Sequence, residues 1–201
     1  MQDLPEELQE EVLFSLRQPE DLSRACSVSK ASRRVCSGSS FWKEKFRREN
    51  LPLLEEGDNL LQWLKIYRKS LETARKVDER ILSGRSVRVS LTSVDDPKIL
   101  LPLSDTEEIM RYWNIMKTRT HIEKQRNYIT VHVYMLEFFP DPGAKSRYEL
   151  VDNYITEDKN PRYGFQVERM PEKITIRGGN VSTEDLWFIL FQVGYSRKYI
   201  L

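Results

Sequence analysis

A change of hydrophobic period at Gly84 constrains the fold more than any other feature of the sequence. From Asp58 to Leu82 the chain has neither Gly nor Pro, and Leu64, Tyr67, Leu71, Ala74 and Ile81 recur at three- and four-residue spacing. That is one apolar stripe along a single long α-helix. Asp58 is placed to cap its start and Gly84 to end it. Beyond Gly84 the spacing falls to two, with Val87, Val89 and Leu91 alternating in "SVRVSLTSV" and Ile129, Val131, Val133 and Met135 in "YITVHVYMLEFF". Alternation at period two is a strand pattern. Helical patterning followed by strand patterning predicts an α+β chain.

The strands continue in "YELVDNYI", "YGFQVERM" and "KITIR", after the turn "PDPG" at 140–143. Two helices interrupt them. "SDTEEIMRYWNIM" opens with the capping pair Ser104 and Glu107, and "STEDLWFILFQV" with Ser182 and Asp185, ending near Gly194. "RGGN" at 177–180 reads as the turn between the last strand and the last helix. The start of the chain is broken into short helices. Pro5 with Glu6 and Glu7, and Pro19 with Glu20 and Asp21, each make a favourable first helical turn; the second of these helices buries Leu22 and Ala25 or Cys26. "KASRRVCS" and "FWKEKFRREN" come next, separated by Ser and Gly, with Phe41, Trp42 and Phe46 as apolar anchors. About 50 residues in such pieces would be marginal alone. The organisation expected is a helical module at 1–50, a connecting segment with the long helix at 51–84, and an α+β domain with a mostly antiparallel sheet and two helices at 85–201.

Charge narrows the function. Lysine plus arginine number 32 and aspartate plus glutamate 31, so no overall positive field draws the chain to nucleic acid or an anionic membrane. The apolar run "LWFILF" is too short to span a bilayer, and the N-terminus lacks a signal-like pattern; the chain is expected in the cytoplasm, the nucleus or both. Cys26 and Cys36 are expected as reduced, semi-buried thiols, with no second Cys or His pair to complete a metal set. "HIE" at 121–123 has the first half of a deaminase zinc motif but no subsequent Cys-x-x-Cys. His132 lies on the strand face opposite the aliphatic stripe, where a solvent-facing or hydrogen-bonded role is expected. "RGGN" lacks the lysine of a phosphate-binding loop. No enzyme, metal or cofactor is therefore expected.

One short stretch carries surplus apolar surface. In "LPEELQEEVLFSL", Leu8, Val12 and Leu16 form one helical stripe, Leu13 lies at its edge, and Phe14 points almost to the opposite side. Together with residues 17–46, this stretch resembles the F-box: Leu4 and Pro5, then the aliphatic helix, then Pro19, Asp21 and Leu22, then Val28, Ser29 and Lys30, the basic pair Arg33 and Arg34, and finally Phe41, Trp42 and Lys43. Two positions depart from that family's pattern. Ser29 stands where cysteine is commoner, and Ser32 where the family usually has tryptophan or another bulky aromatic.

The resemblance implies a substrate-recognition subunit of an SCF-type cullin ubiquitin ligase, whose F-box interlocks with a Skp-type adaptor. It implies Leu4, Pro5, Leu8, Val12, Leu13, Leu16, Leu22 and Val28 as the adaptor-facing or interlocking set, and a protein target, neither nucleic acid nor membrane, for the C-terminal domain. Phe41 and Trp42 belong inside the module. The other reading is a structural or assembly protein using an F-box-like bundle for its own packing. Among the many C-terminal aromatics, Arg162, Tyr163 and Phe165, beside the polar "TEDKNP", are the candidate target-binding residues.

Overall fold

A computed structural model describes residues 5–118, 122–124, 128–158 and 171–196. Two compact units divide the chain, residues 1–75 and 76–201. The division falls inside the long helix.

The first unit is helical. Helices α1 (Glu6–Ser15), α2 (Pro19–Val28), α3 (Lys30–Ser37) and α4 (Ser39–Arg48) precede α5 (Leu60–Leu82), which runs on into the second unit. Proline opens α2 with Glu20 and Asp21 in its first turn: proline has no amide to leave unpaired at that position, and the two acids suit the positive helix end. The two departures from the F-box pattern act together. Ser29 caps α3 by accepting the Ser32 backbone N–H at 2.9 Å, and the two hydroxyls lie 2.9 Å apart. Asn59, not Asp58, caps α5, accepting the Gln62 N–H at 3.0 Å while the Gln62 side chain accepts from the Asp58 N–H. Gly84 ends that helix with φ of 62°, the left-handed conformation that glycine takes without strain.

The core of this unit gathers Leu13, Leu22, Phe41, Trp42, Phe46, Trp63, Leu64, Ile66 and Tyr67. Trp42 and Trp63 stack at 5.7 Å between ring centres, and the Trp42 indole donates to the Cys36 carbonyl at 2.7 Å. The first half of α5 is thus core rather than spacer. Cys26 and Cys36 are joined as a disulfide, with Cα atoms 5.9 Å apart and both side chains buried. This corrects the expectation of free thiols: α2 and α3 fold back on each other across the Ser29 corner, which brings residues ten apart in sequence within bridging distance.

The second unit is a sheet with helices. Strands β1 (Val87–Ser90), β2 (Ile122–Lys124), β3 (Tyr128–Phe139), β4 (Ser146–Asp158) and β5 (Pro171–Val181) run in the order β1-β3-β4-β5, and β2 also pairs with β3. Every pairing is antiparallel. Two helices complete it, α6 (Thr106–Thr118) and α7 (Thr183–Ser196). The register sets Tyr134, Leu136 and Phe138 on one face with Leu150, Tyr148, Val87 and Val89; all seven are buried, and α6 lies on this side through the Tyr112–Tyr134 ring contact at 4.6 Å. Val131, Val133 and Met135 occupy the other face, half-buried.

Four local expectations change. The strand at 86–94 stops at Ser90, where its hydroxyl accepts the Thr92 N–H and a 3-10 turn begins, although Leu91 remains buried. Ser104 does not cap α6, because its hydroxyl is hydrogen-bonded to Tyr148 Oη at 2.8 Å. "RGGN" is strand, not turn: β5 continues to Val181. A Cβ on Gly179 would lie 2.5 Å from Ser104 Oγ and 2.9 Å from Tyr148 Oη, so the glycine serves close packing inside a strand. Gly194 lies within α7, which ends at Ser196; its start is as expected, with the Asp185 N–H donating to Ser182 Oγ at 3.0 Å.

Candidate functional site

Helix α1 presents two apolar sides, and the structure assigns them. Leu13 is buried, and Phe14 stacks on Phe41 with ring centres 4.8 Å apart under the Arg48 guanidinium, which lies 4.1 Å from the Phe14 ring. Leu16 packs partly against the same core. The side that faces solvent is the other one: Leu8 is 51% exposed and Val12 52%. Pro5, the residue that precedes α1, is exposed as well. At the end of α2, Val28 is 82% exposed. Leu22 is buried, and Leu4 lies outside the described residues. The implied set thus divides, apart from Leu4, into an exposed group of Pro5, Leu8, Val12 and Val28 and an inward group of Leu13, Leu16 and Leu22.

Beside the exposed stripe is a charged border. Arg48 bridges Glu11 through two bonds of 2.8 and 2.9 Å, and Glu44 through one of 2.7 Å; Arg47 also holds Glu44. Hydrogen bonds from Arg47 and Arg48 hold the Glu44 carboxyl down at about 2, and Arg48 lowers Glu11. Between α1, α3 and α4 an open groove of about 380 Å³ has Phe14 and Phe41 among its lining residues and Glu11, Glu44 and Arg48 along it.

The outward pose of α1 depends on a group that sequence reading did not single out. Lys45 is fully buried, and its ammonium donates to the carbonyls of Phe14 at 3.0 Å and Leu16 at 2.6 Å and to Glu49 at 2.6 Å. It satisfies the last carbonyls of α1 while its charge favours the negative helix end. Tyr67 donates to Glu49 and to the Arg17 carbonyl, and burial, then the Glu49 bond, pushes its hydroxyl far above the usual tyrosine range. One signal was available: Lys45 lies three and four residues after Trp42 and Phe41, on the buried stripe of α4.

Residues 1–48 match the F-box-like family model. The chain carries an F-box-like domain. It takes in α1 to α4, and so all four exposed apolar residues. No curated protein and no solved structure matches the chain.

The second unit holds a polar cluster on each face of its sheet. On the α6 side, His132 Nδ1 and Asp152 Oδ2 are 2.6 Å apart, with His132 against the rings of Tyr134 and Tyr154; the hydrogen-bonded role expected for His132 is the one observed. On the other side, Glu137 is buried and bonded by Arg88 at 3.0 Å and Lys173 at 2.5 Å. Burial raises the Glu137 carboxyl, but these two bonds outweigh it and hold it below the usual range. No group of three potential metal ligands occurs among the described residues, and no helix there is long and apolar enough to cross a membrane. Arg162, Tyr163, Phe165 and His121 lie outside the described residues.

Proposed function

We propose that this protein is a non-catalytic substrate-receptor subunit of an SCF-type cullin ubiquitin ligase, acting in the cytoplasm, the nucleus or both. The F-box-like domain docks a Skp-type adaptor through Pro5, Leu8, Val12 and Val28, and the unit at 76–201 holds a protein target. The observation that carries this reading is the exposed stripe of α1. A helix whose Leu13 and Phe14 already fill its own core has no internal use for Leu8 and Val12. Fully burying an exposed side chain of this kind is worth about 1.5–3 kcal/mol; Leu8 and Val12, half exposed, have about half of that left to give and Val28 most of it.

Replacing Leu8 and Val12 together by Glu tests the reading, since both are exposed and neither supports the domain's core. Wild-type chain is expected to co-purify with adaptor and cullin, and the double variant to lose both while keeping its circular dichroism and melting temperature. A variant that binds the adaptor as wild type does would refute this surface. Self-association of wild type with no adaptor bound would favour the assembly reading instead.

A further inference from the structure

The Cys26–Cys36 disulfide closes a ring made of the end of α2, the Ser29 corner and most of α3. Val28, 82% exposed and one of the four residues assigned to adaptor docking, lies inside that ring. Little else fastens α3. Cys36 is its one buried residue, and Val35 packs partly against the core. Lys30, Arg33 and Arg34 are exposed along one face at three- and four-residue spacing, where like charges weaken a helix; among the described residues none of the three makes an ion pair. A helix this short is marginal by itself in water. Beyond the disulfide, α3 is tied by the Ser29 cap at its start and by the Trp42 indole on the Cys36 carbonyl at its end.

The proposed place of work, cytoplasm or nucleus, keeps thiols reduced, and a disulfide in a protein of that kind is usually transient and redox-sensing. The two states of this pair differ where docking happens. With the bond in place an opened corner is still a closed loop; without it the opened corner gains chain entropy, so opening becomes more frequent. Both sulfurs are fully buried, and neither oxidant nor reductant reaches them until the corner opens. Because α3 buries so little, that opening does not require the core of Trp42, Trp63 and Tyr67 to come apart.

We propose that Cys26 and Cys36 form a redox switch on adaptor docking: the disulfide holds the α2–α3 corner with Val28 in its docking pose, and the two thiols release the corner and weaken docking. The switch takes hydrogen peroxide as oxidant and a dithiol as reductant. In oxidation, one thiolate of the pair attacks the peroxide, the O–O bond breaks, and a sulfenic acid forms as hydroxide leaves and takes up the proton that this thiol lost. The second thiol attacks the same sulfur, forming the S–S bond and expelling water, so the pair loses two electrons and the peroxide becomes two waters. In reduction, a thiolate of the dithiol attacks one sulfur of the bridge and the other leaves as thiolate. The reductant's second thiol then frees the first cysteine, so both cysteines end as thiols and the reductant as a disulfide. That the switched partner is the adaptor rests on the receptor reading; the redox step itself does not.

The test uses the full chain, oxidised and then reduced with dithiothreitol, with the cysteine state read by alkylation and mass, and a purified Skp-type adaptor as the probe. The oxidised chain is expected to bind the adaptor at least about tenfold more tightly than the reduced one. Hydrogen peroxide is expected to restore both the bond and the binding. In the reduced chain the α3 amides are expected to exchange well ahead of those of α4 and α5, and the disulfide to slow them. The C26S/C36S variant is expected to bind as the reduced chain does and to ignore both reagents, which separates the switch from any effect on the adaptor's own cysteines. Equal binding by the two states, thiols that stay free in peroxide, or α3 amides that exchange no sooner than those of α4 and α5 would each overturn the proposal. If neither state binds the adaptor, the receptor reading fails. In that case α3 exchange that reduction leaves unchanged overturns the redox step too, whereas faster α3 exchange leaves a redox-sensitive corner on a protein that is not a ligase receptor.

Discussion

At the residue scale the most consequential group is Lys45. Its side chain is fully buried, and its ammonium has three oxygen partners within 3.0 Å. Lys45→Met keeps much of the stem's volume but strands the Glu49 carboxylate and the end of α1. Removing one member of a buried, hydrogen-bonded charge pair typically costs about 3–5 kcal/mol, so urea denaturation is expected to show a loss of that size for the first unit. A loss within experimental error would mean that water replaces the ammonium without difficulty. A lysine in "FWKEKFRREN" reads as a solvated charge, because its carbonyl partners are 29 and 31 positions away and only the packing of α1 on α4 brings them near. The same holds for Phe14. Helical spacing groups Leu8, Val12 and Leu16, and nothing local says that the ring on the opposite side meets Phe41. The F-box-like positions were thus legible in order, but their division into core and surface was not.

Elements whose signals are local were the easiest to read. Pro19 opening α2, Ser182 opening α7 and Gly84 closing α5 all act within one turn of the residues they affect. Signals with a distant competitor failed: Ser104 gives its hydroxyl to Tyr148 on β4, and the glycines of "RGGN" serve strand packing where a turn was expected. The bond between Cys26 and Cys36 belongs to this second group, since only the α2–α3 corner makes it geometrically possible. It closes a loop with a sequence separation of 10, and cross-linking a loop of that length is worth about 2.7 kcal/mol through the entropy of the unfolded chain. Adding a thiol reductant, or replacing both cysteines by Ser, is expected to lower the unfolding free energy of the first unit by roughly that amount. Thiol labelling of the untreated protein checks the premise. Two free cysteines in the oxidised preparation, or a melt indifferent to reductant, would remove the disulfide from any account of stability.

For the whole molecule, the informative feature is that the boundary between units falls within α5. Sequence periodicity shows one uninterrupted helix there, which invites the view of a spacer ending at residue 84. Burial shows something different, because the helix serves two cores in succession. Trp63, Leu64, Ile66 and Tyr67 belong to the first unit's core, whereas Val77 and Ile81 are buried beyond the division. The Trp187 indole donates to Asp78 at 2.8 Å, tying α7 to the last turns of α5. Periodicity alone cannot reveal such a handover, since it shows an apolar stripe and not which core each turn of it packs into. The consequence is a testable difference between two fragments. Residues 76–201 retain Val77, Asp78 and Ile81, whereas residues 85–201 lack them and expose the surfaces that they cover. Losing a buried aliphatic side chain costs about 1–4 kcal/mol, so the shorter fragment is expected to be less stable by several kcal/mol and to melt well below the longer one in calorimetry. Equal melting temperatures would show that α5 contributes nothing to the second core, and would return it to the role of a simple connector.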